Sequence, residues 1–304
     1  MSRVLVVGEC VLDEVETADG TVTAHPGGSP ANVAVGLARL SQDATLLTEL
    51  GDDPAGAAIL AHLAAAGVTT ACAESSTRTP VARATIGPDG AATYAFDIAW
   101  TLAGDHGALV DGATHVHTGS IAAHIDPGAR AVEDIVEAAR THATVSYDPN
   151  VRASLVGERS AVVDRTEWIV ARSDVVKASD EDLDWLYPGT PVADVLRAWC
   201  ASGPSLVVAT LGAEGSLACL RGEILEVAPL RVDVVDTVGA GDSYMAALVD
   251  GLARAGLVGP GGRERLAVTD AATVRGVVER AARAAAITVS RAGANPPTLA
   301  ELGE

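Results

Sequence analysis

Two hydrophobic rhythms alternate along this chain. One is a short uninterrupted apolar run; in the other, apolar residues return every third or fourth position. The run 4–10 is apolar until it reaches Gly8 and Glu9, as a central parallel strand should be. The runs 44–50, 68–72, 114–117, 144–147, 174–177 and 205–210 repeat that pattern. Between them lie helical patterns at 31–40, opened by Ser29 and Pro30, at 54–66, closed by Gly67, and at 129–140, 179–186 and 274–288. Strand and helix in regular alternation predict three layers, α/β/α, around a mainly parallel sheet, with ligands at the carboxyl ends of its strands.

Two stretches break the series. Val-x-Thr alternation over 14–25 surrounds Ala18-Asp19-Gly20, and the runs 81–86 and 92–96 flank Gly87-Pro88-Asp89-Gly90. Both read as hairpins. Paired with each other they would make a small β-sheet lid over the site. The runs 216–220 and 223–228 read as an antiparallel pair near a sheet edge, turning at Arg221-Gly222. No linker rich in Gly, Ser or Pro separates these pieces, so residues 1–304 read as one domain, with lid insertions at approximately 14–26 and 80–100.

The candidate chemistry centres on 235–244. A run read as a strand, 230–235, leads through Gly239 and Gly241 into an apolar helical pattern at 245–252. A helix N-terminus entered through glycines directs free N–H groups at an anion. Asp242 is the odd member, since a carboxylate is a poor neighbour for a phosphate unless a hydroxyl lies between them. On these residues alone it is either the helix N-cap or a catalytic base.

Composition removes several alternatives. The net charge of −19 argues against nucleic acid and anionic membranes as partners. No stretch approaches about 18 uninterrupted apolar residues, and the N-terminal run turns acidic too soon for a signal peptide, so a cytoplasmic location is expected. Lys177 is the one lysine among 21 basic residues, a bias read as compositional rather than mechanistic. Cys10, Cys72, Cys200 and Cys219 form no C-x-x-C pair and are expected to be reduced, buried small hydrophobes. G-x-x-x-x-G-K-[ST], G-x-G-x-x-G, H-E-x-x-H and G-x-S-x-G are all absent. His115 and His117 share one face of a strand, where packing is the expected role rather than zinc binding.

Five segments, in order, carry a resemblance. They are Gly27-Gly28-Ser29-Pro30-Ala31-Asn32, Asp148-Pro149-Asn150-Val151-Arg152, Thr210-Leu211-Gly212, Asp236-Thr237-Val238-Gly239-Ala240-Gly241-Asp242 and 285–294. Together the chain resembles the ribokinase-like (PfkB) carbohydrate kinases along nearly its whole length. The resemblance implies an ATP- and Mg²⁺-dependent phosphotransferase. Asp242 would take the proton from a sugar hydroxyl, and the N–H groups of Gly239, Ala240 and Gly241 would form an anion hole. Asp13, Gly28 and Asn32 would hold the sugar, and Asn150 and Arg152 would contact polyphosphate. Thr210, Gly212 and Gly215 would follow the ATP phosphates and ribose, with Ala285 and Gly293 near the adenine. The Asn-x-x-Glu element that organises Mg²⁺ in many members reads Ser179-Asp180-Glu181-Asp182 here, which leaves Asp182 acting through water. Some members also bind a monovalent cation, K⁺ in kind, for which Asp236 and Ser290 are the candidates.

Gly-Gly-Ser-Pro-Ala-Asn is similar to the fructokinase variant of the signature, so fructose is the expected acceptor. Keto-deoxygluconate, ribose and nucleosides are the alternatives within the family. The absence of a basic residue among Asp13, Gly28 and Asn32 weighs against a sugar acid. Asp97 is a candidate acceptor for a sugar hydroxyl, whereas Trp100 is expected to pack in the core. Other classes also fit parts of the pattern: a non-catalytic sugar-binding regulator, and a dinucleotide oxidoreductase. Exposed hairpin edges lead to the expectation of a homodimer through the lid.

Overall fold

The fold is taken from a computed structural model that describes residues 3–17, 19–73, 78–87 and 92–303. Nine strands form one sheet. In chain order they are β1 (Arg3–Val7), β4 (Asp43–Glu49), β5 (Thr69–Ala73), β8 (His115–Gly119), β9 (Thr144–Asp148), β10 (Val175–Ser179), β11 (Leu206–Thr210), β12 (Ser216–Leu220) and β13 (Glu223–Val227). Across the sheet the order is β13-β12-β11-β10-β9-β8-β1-β4-β5, with every pair parallel from β11 to β5. Only the pairs β11–β12 and β12–β13 are antiparallel, so the predicted antiparallel pair does lie at an edge.

Both faces of the sheet are covered, as continuous apolar strands require. Val4 and Val6 of β1 pack into one cluster with α1 (Ser29–Arg39), α2 (Pro54–Ala65), α8 (Ala240–Arg254) and α10 (Ala271–Val289). Leu5 and Val7 face the other way, towards α3 (Gly107–Gly112) and α4 (Gly128–Ala139). Further along that second face, Val176 and Ala178 of β10 pack under α5 (Arg159–Val170), α6 (Asp180–Leu186) and α7 (Val192–Ser202). A short α9 (Gly262–Leu266) completes the helices. Trp100 is 2% exposed and donates to the Ala122 carbonyl, so it does pack in the core.

The two hairpins pair as expected. β2 (Val11–Glu16), β3 (Val22–Gly27), β6 (Val81–Ile86) and β7 (Ala92–Asp97) form a separate sheet in the order β3-β2-β6-β7, joined across the middle by the parallel pair β2–β6. The turn residue Ala18 of the first hairpin and the turn residues Pro88, Asp89 and Gly90 of the second lie outside the described residues. β2 follows β1 almost at once and β3 runs directly into α1, so this sheet is rooted at the carboxyl end of the large one.

Three expectations are corrected. Residues 230–235 do not form a strand. Their alternating valines imitate one, but the segment has no ladder partner, and Val235 and Asp236 merely donate to the Val289 carbonyl at the end of α10. Ser29 does not cap α1; the N-cap is Gly28 and no side chain caps it. Of the four free cysteines, Cys10 and Cys219 are buried, but Cys200 is half-buried and Cys72 exposed. α5 and α7 are helices that the periodicity did not reveal.

Candidate active site

Two helices meet N-terminus to N-terminus over the carboxyl ends of the strands. α1 and α8 lie close enough that a Cβ on Gly36 would sit 2.6 Å from that of Ala246. Gly28 precedes α1 at φ 102°, where a Cβ would meet the Glu9 carbonyl at 2.6 Å. Gly239 caps α8 at φ 73°, with Ala294 at 2.6 Å from its Cβ position. Both positions therefore demand glycine.

Asp242 lies in the first turn of α8, and Gly239, not Asp242, occupies the N-cap. That removes the capping alternative. Its carboxylate is buried and points at the other helix: Ser29 Oγ donates to Oδ1 at 2.6 Å and Asn32 Nδ2 donates to Oδ2 at 2.8 Å. Asn32 thus orients Asp242 while keeping its own amide oxygen available. Ser29 was missed as a site residue because Ser before a helix reads first as a cap. In the turn above, the N–H groups of Gly239 and Gly241 bond to nothing among the described residues, whereas Ala240 donates weakly to the Thr237 carbonyl at 3.3 Å.

The sugar-binding candidates surround this point. Asp13 lies on β2 opposite His25, with its carboxylate over Gly27. Burial raises its pKa, and the charges of His25 and Arg152 oppose the rise. The Arg152 charge also acts on Glu9, so a guanidinium is felt by both carboxylates, although its own hydrogen bonds go to Asn150 and Val151. Asp97 lies further off. It pairs with Val81, two strands away from Leu12, a separation of roughly 10 Å, and is exposed.

Glu9, unnoticed in the sequence, is 2% exposed and accepts the Ala122 N–H at 3.1 Å. Burial pushes its carboxyl up to about 7, against hydrogen bonds from Ser120 and Ala122 and the Arg152 charge.

The other candidates line the ends of β9, β10 and β11. Asn150 follows β9 at φ 36°, and its side chain accepts from Arg152 at 2.8 Å. Asp182 takes the Val151 N–H on one oxygen, and the Ser179 N–H and hydroxyl on the other, in a capping box that ties the 150–152 turn to α6. Thr210 ends β11, and Gly212 and Gly215 follow it at φ 54° and 92°. A Cβ on Gly215 would meet the Val227 carbonyl at 2.3 Å, whereas Gly212 opens onto free space.

Asp236 accepts from Val238 at 3.0 Å and from Gly293 at 2.8 Å, clipping the glycine turn to the loop after α10. Those backbone donors lower its pKa. Ser290 is exposed and donates to the Ile287 carbonyl, while Ala285 lies half-buried on α10. Leu230, Val232, Val234, Val235 and Val238 stand exposed along the segment that enters the turn. His115 and His117, by contrast, are bonded to Thr144 and Ser146 inside the core, and burial lowers both to about 3. No group of three His, Cys, Asp or Glu side chains suited to a metal occurs among the described residues. A cavity of about 160 Å³ lies at the opposite end of the sheet between Arg3, Asp43 and Leu109, away from this chemistry.

Comparison with known proteins agrees with the geometry. The pfkB family carbohydrate kinase model matches residues 1–301. A fructokinase of Escherichia coli is 30% identical over 96% of this chain and 95% of its own. The structure of a fructokinase with bound ATP from Xylella fastidiosa superposes with a TM-score of 0.86, at 26% identity, over 99% of this chain and 97% of that one. A fructokinase double mutant from Vibrio cholerae, solved with fructose, ADP and potassium ion, gives 0.78 at 25% identity, covering 100% and 97%. Fold, glycine turn and full-length match agree: the chain belongs to the pfkB family of carbohydrate kinases and is a sugar phosphotransferase.

Proposed function

We propose that the enzyme transfers the γ-phosphoryl group of ATP to a primary hydroxyl of a monosaccharide, with D-fructose as the acceptor. The observation that carries this reading is the Asp242 carboxylate, held by Ser29 and Asn32 where two helix N-termini converge. Asp242 takes the hydroxyl proton as the oxygen attacks phosphorus. In a loose transition state charge spreads over the transferred group, and the N–H groups of Gly239 and Gly241 receive it. Asp13, Gly28 and Asn32 bind the sugar under the small sheet, which acts as the lid, and Asp97 approaches only as the lid closes.

Thr210, Gly212 and Gly215 give the nucleotide a glycine-edged path, with Asn150 and Arg152 at its phosphates. The base lies between Ala285, Gly293 and the exposed valines at 232–235. That role accounts for apolar side chains left in solvent. Mg²⁺, carried by the polyphosphate, would neutralise part of its charge. Asp182, whose oxygens already serve three protein donors, reaches it only through water. The Asp236 carboxylate and Ser290 hydroxyl would offer oxygen ligands to a monovalent cation, beside the backbone donors that the carboxylate already holds.

ADP release over a panel of sugars tests this reading. Fructose should give the highest kcat/KM, and Asp242→Asn should lower kcat by at least about 100-fold while sugar binding survives. Turnover within about tenfold of wild type would remove Asp242 as the base. Arg152, standing near Asp13, favours a second reading, a keto-deoxy sugar acid whose carboxylate it would bind. The same panel separates the two.

A further inference from the structure

The chain's one lysine is buried beside the proposed phosphoryl-transfer turn. Lys177, on β10, is 4% exposed, and its ammonium lies 2.8 Å from Asp148 Oδ2 on β9, a residue only 1% exposed. The same nitrogen lies 3.0 Å from where a Cβ on Gly241 would be, so the ammonium is lodged against the first turn of α8. Neither ion is fully satisfied. Asp148 Oδ1 is buried without a partner, and the ammonium, which has three donors, bonds only to Asp148 among the described residues.

Stability does not account for this pair. Two charges taken out of water lose more than one hydrogen bond returns, and a well-packed apolar pair of similar volume would serve the core as well. Buried polar groups with unused bonding capacity call for another explanation. Three carboxylates act on Lys177 from three elements: Asp148 from β9, Asp182 from α6 and Asp242 from α8. His117 on β8 feels its charge and is held neutral by burial. The lysine is therefore the positive centre of the acidic cluster behind the glycine turn.

We infer that Lys177 is a positioning residue for phosphoryl transfer: anchored by Asp148, its ammonium holds positive charge against Gly241 and favours the anionic phosphoryl group while it is in transit over the Gly239–Gly241 turn. This also gives Gly241 a second reason to be glycine, since a Cβ there would press on the ammonium at 3.0 Å. The inference rests on the reading of that turn as the phosphoryl site.

Lysine labelled with ¹³C at Cε places a single reporter in the untagged protein. Its resonance should stay in place when sugar binds alone. It should move when ADP, sugar and aluminium fluoride, a mimic of the transferred phosphoryl group, are added together. A resonance indifferent to the fluoride complex overturns the inference without any variant having to fold.

Kinetics provide the second arm. The paired substitution Lys177→Met with Asp148→Asn removes both charges, leaving no lone buried ion. It should lower kcat by about 100-fold while KM for sugar and ATP stays within about threefold. Lys177→Arg, which keeps the charge, should recover part of the loss. A folded paired variant with kcat within about threefold of wild type overturns the role. If Asp242→Asn retains full turnover, the reading of the turn itself has failed. If Asp242→Asn is inactive and the paired variant is active, only Lys177 has.

Discussion

Asp242 and Glu9 are both buried carboxylates near the cleft, and their surroundings divide them. Asp242 sits at a helix N-terminus with two side-chain donors. Glu9 lies deeper, where burial outweighs its hydrogen bonds and holds its pKa at about 7. The folded protein thus keeps a proton on Glu9 up to about that pH, while the unfolded chain releases it near 4.5. Between those values the native state binds more protons, so this residue lowers stability as pH rises. Glu9→Gln should remove that slope. Its stability relative to wild type should grow between about pH 5 and pH 8 by on the order of 1–3 kcal/mol, a shift of several degrees in Tm. Asp148, which burial raises to about 6, is present in both proteins and cancels from the difference. A difference that stays flat with pH would show Glu9 to be ionised throughout. Gly28 and Gly239 were legible in the sequence because a backbone requirement is local. Glu9 was not, because nothing in Gly8-Glu9-Cys10 shows what closes over it.

Among the helices, α8 unites the proposed base and the core. Its first turn carries Asp242, and its far end carries Asp250, which is 0% exposed. Asp250 accepts from Gln42 at 2.5 Å, Arg254 at 2.9 Å and Arg280 at 2.6 Å, joining α8 to the end of α1 and to α10. Asp250→Ala should cost about 3 kcal/mol, because it withdraws the buried carboxylate that two guanidiniums share. The expected signature is a lower urea midpoint with an unchanged m-value; a loss under about 1 kcal/mol would mean that the guanidiniums find other acceptors. Thr288 adds a second tie, donating to Ser243 at 2.7 Å. These contacts hold α8, and with it Asp242, in place from outside the site. Continuous apolar strands and the longer amphipathic helices were readable from periodicity, whereas α5, α7 and the cap of α1 were not. The false strand at 230–235 was not, since alternation shows which side chains are apolar and not whether a neighbouring strand is present to pair with them.

The two sheets divide the work of the protein: the nine-stranded sheet presents strand ends, and the four-stranded one stands over them. The smaller sheet has two open edges, β3 and β7, and carries exposed Val22 and Phe96 on those strands. Edge strands with apolar side chains invite pairing with another copy. Light scattering should therefore give twice the chain mass of 30.7 kDa, and Val22→Glu should shift the population towards one chain. A monomeric mass for the wild type would retire the dimer. Of the described helices, none is long and apolar enough to cross a membrane.

The amino-acid order alone carried the alternation of strand and helix, the two hairpins and the glycine turn, because each depends on residues a few positions apart. Only the folded chain brought Ser29 and Asn32 to Asp242, across 213 and 210 positions. It likewise put Arg152 near Asp13 and lodged Lys177 against Gly241. Those meetings follow from strand order and helix packing, which no local pattern encodes. The motif therefore singles out Asp242 as the proposed base, while the tertiary fold decides what orients its carboxylate and which charge stands behind it.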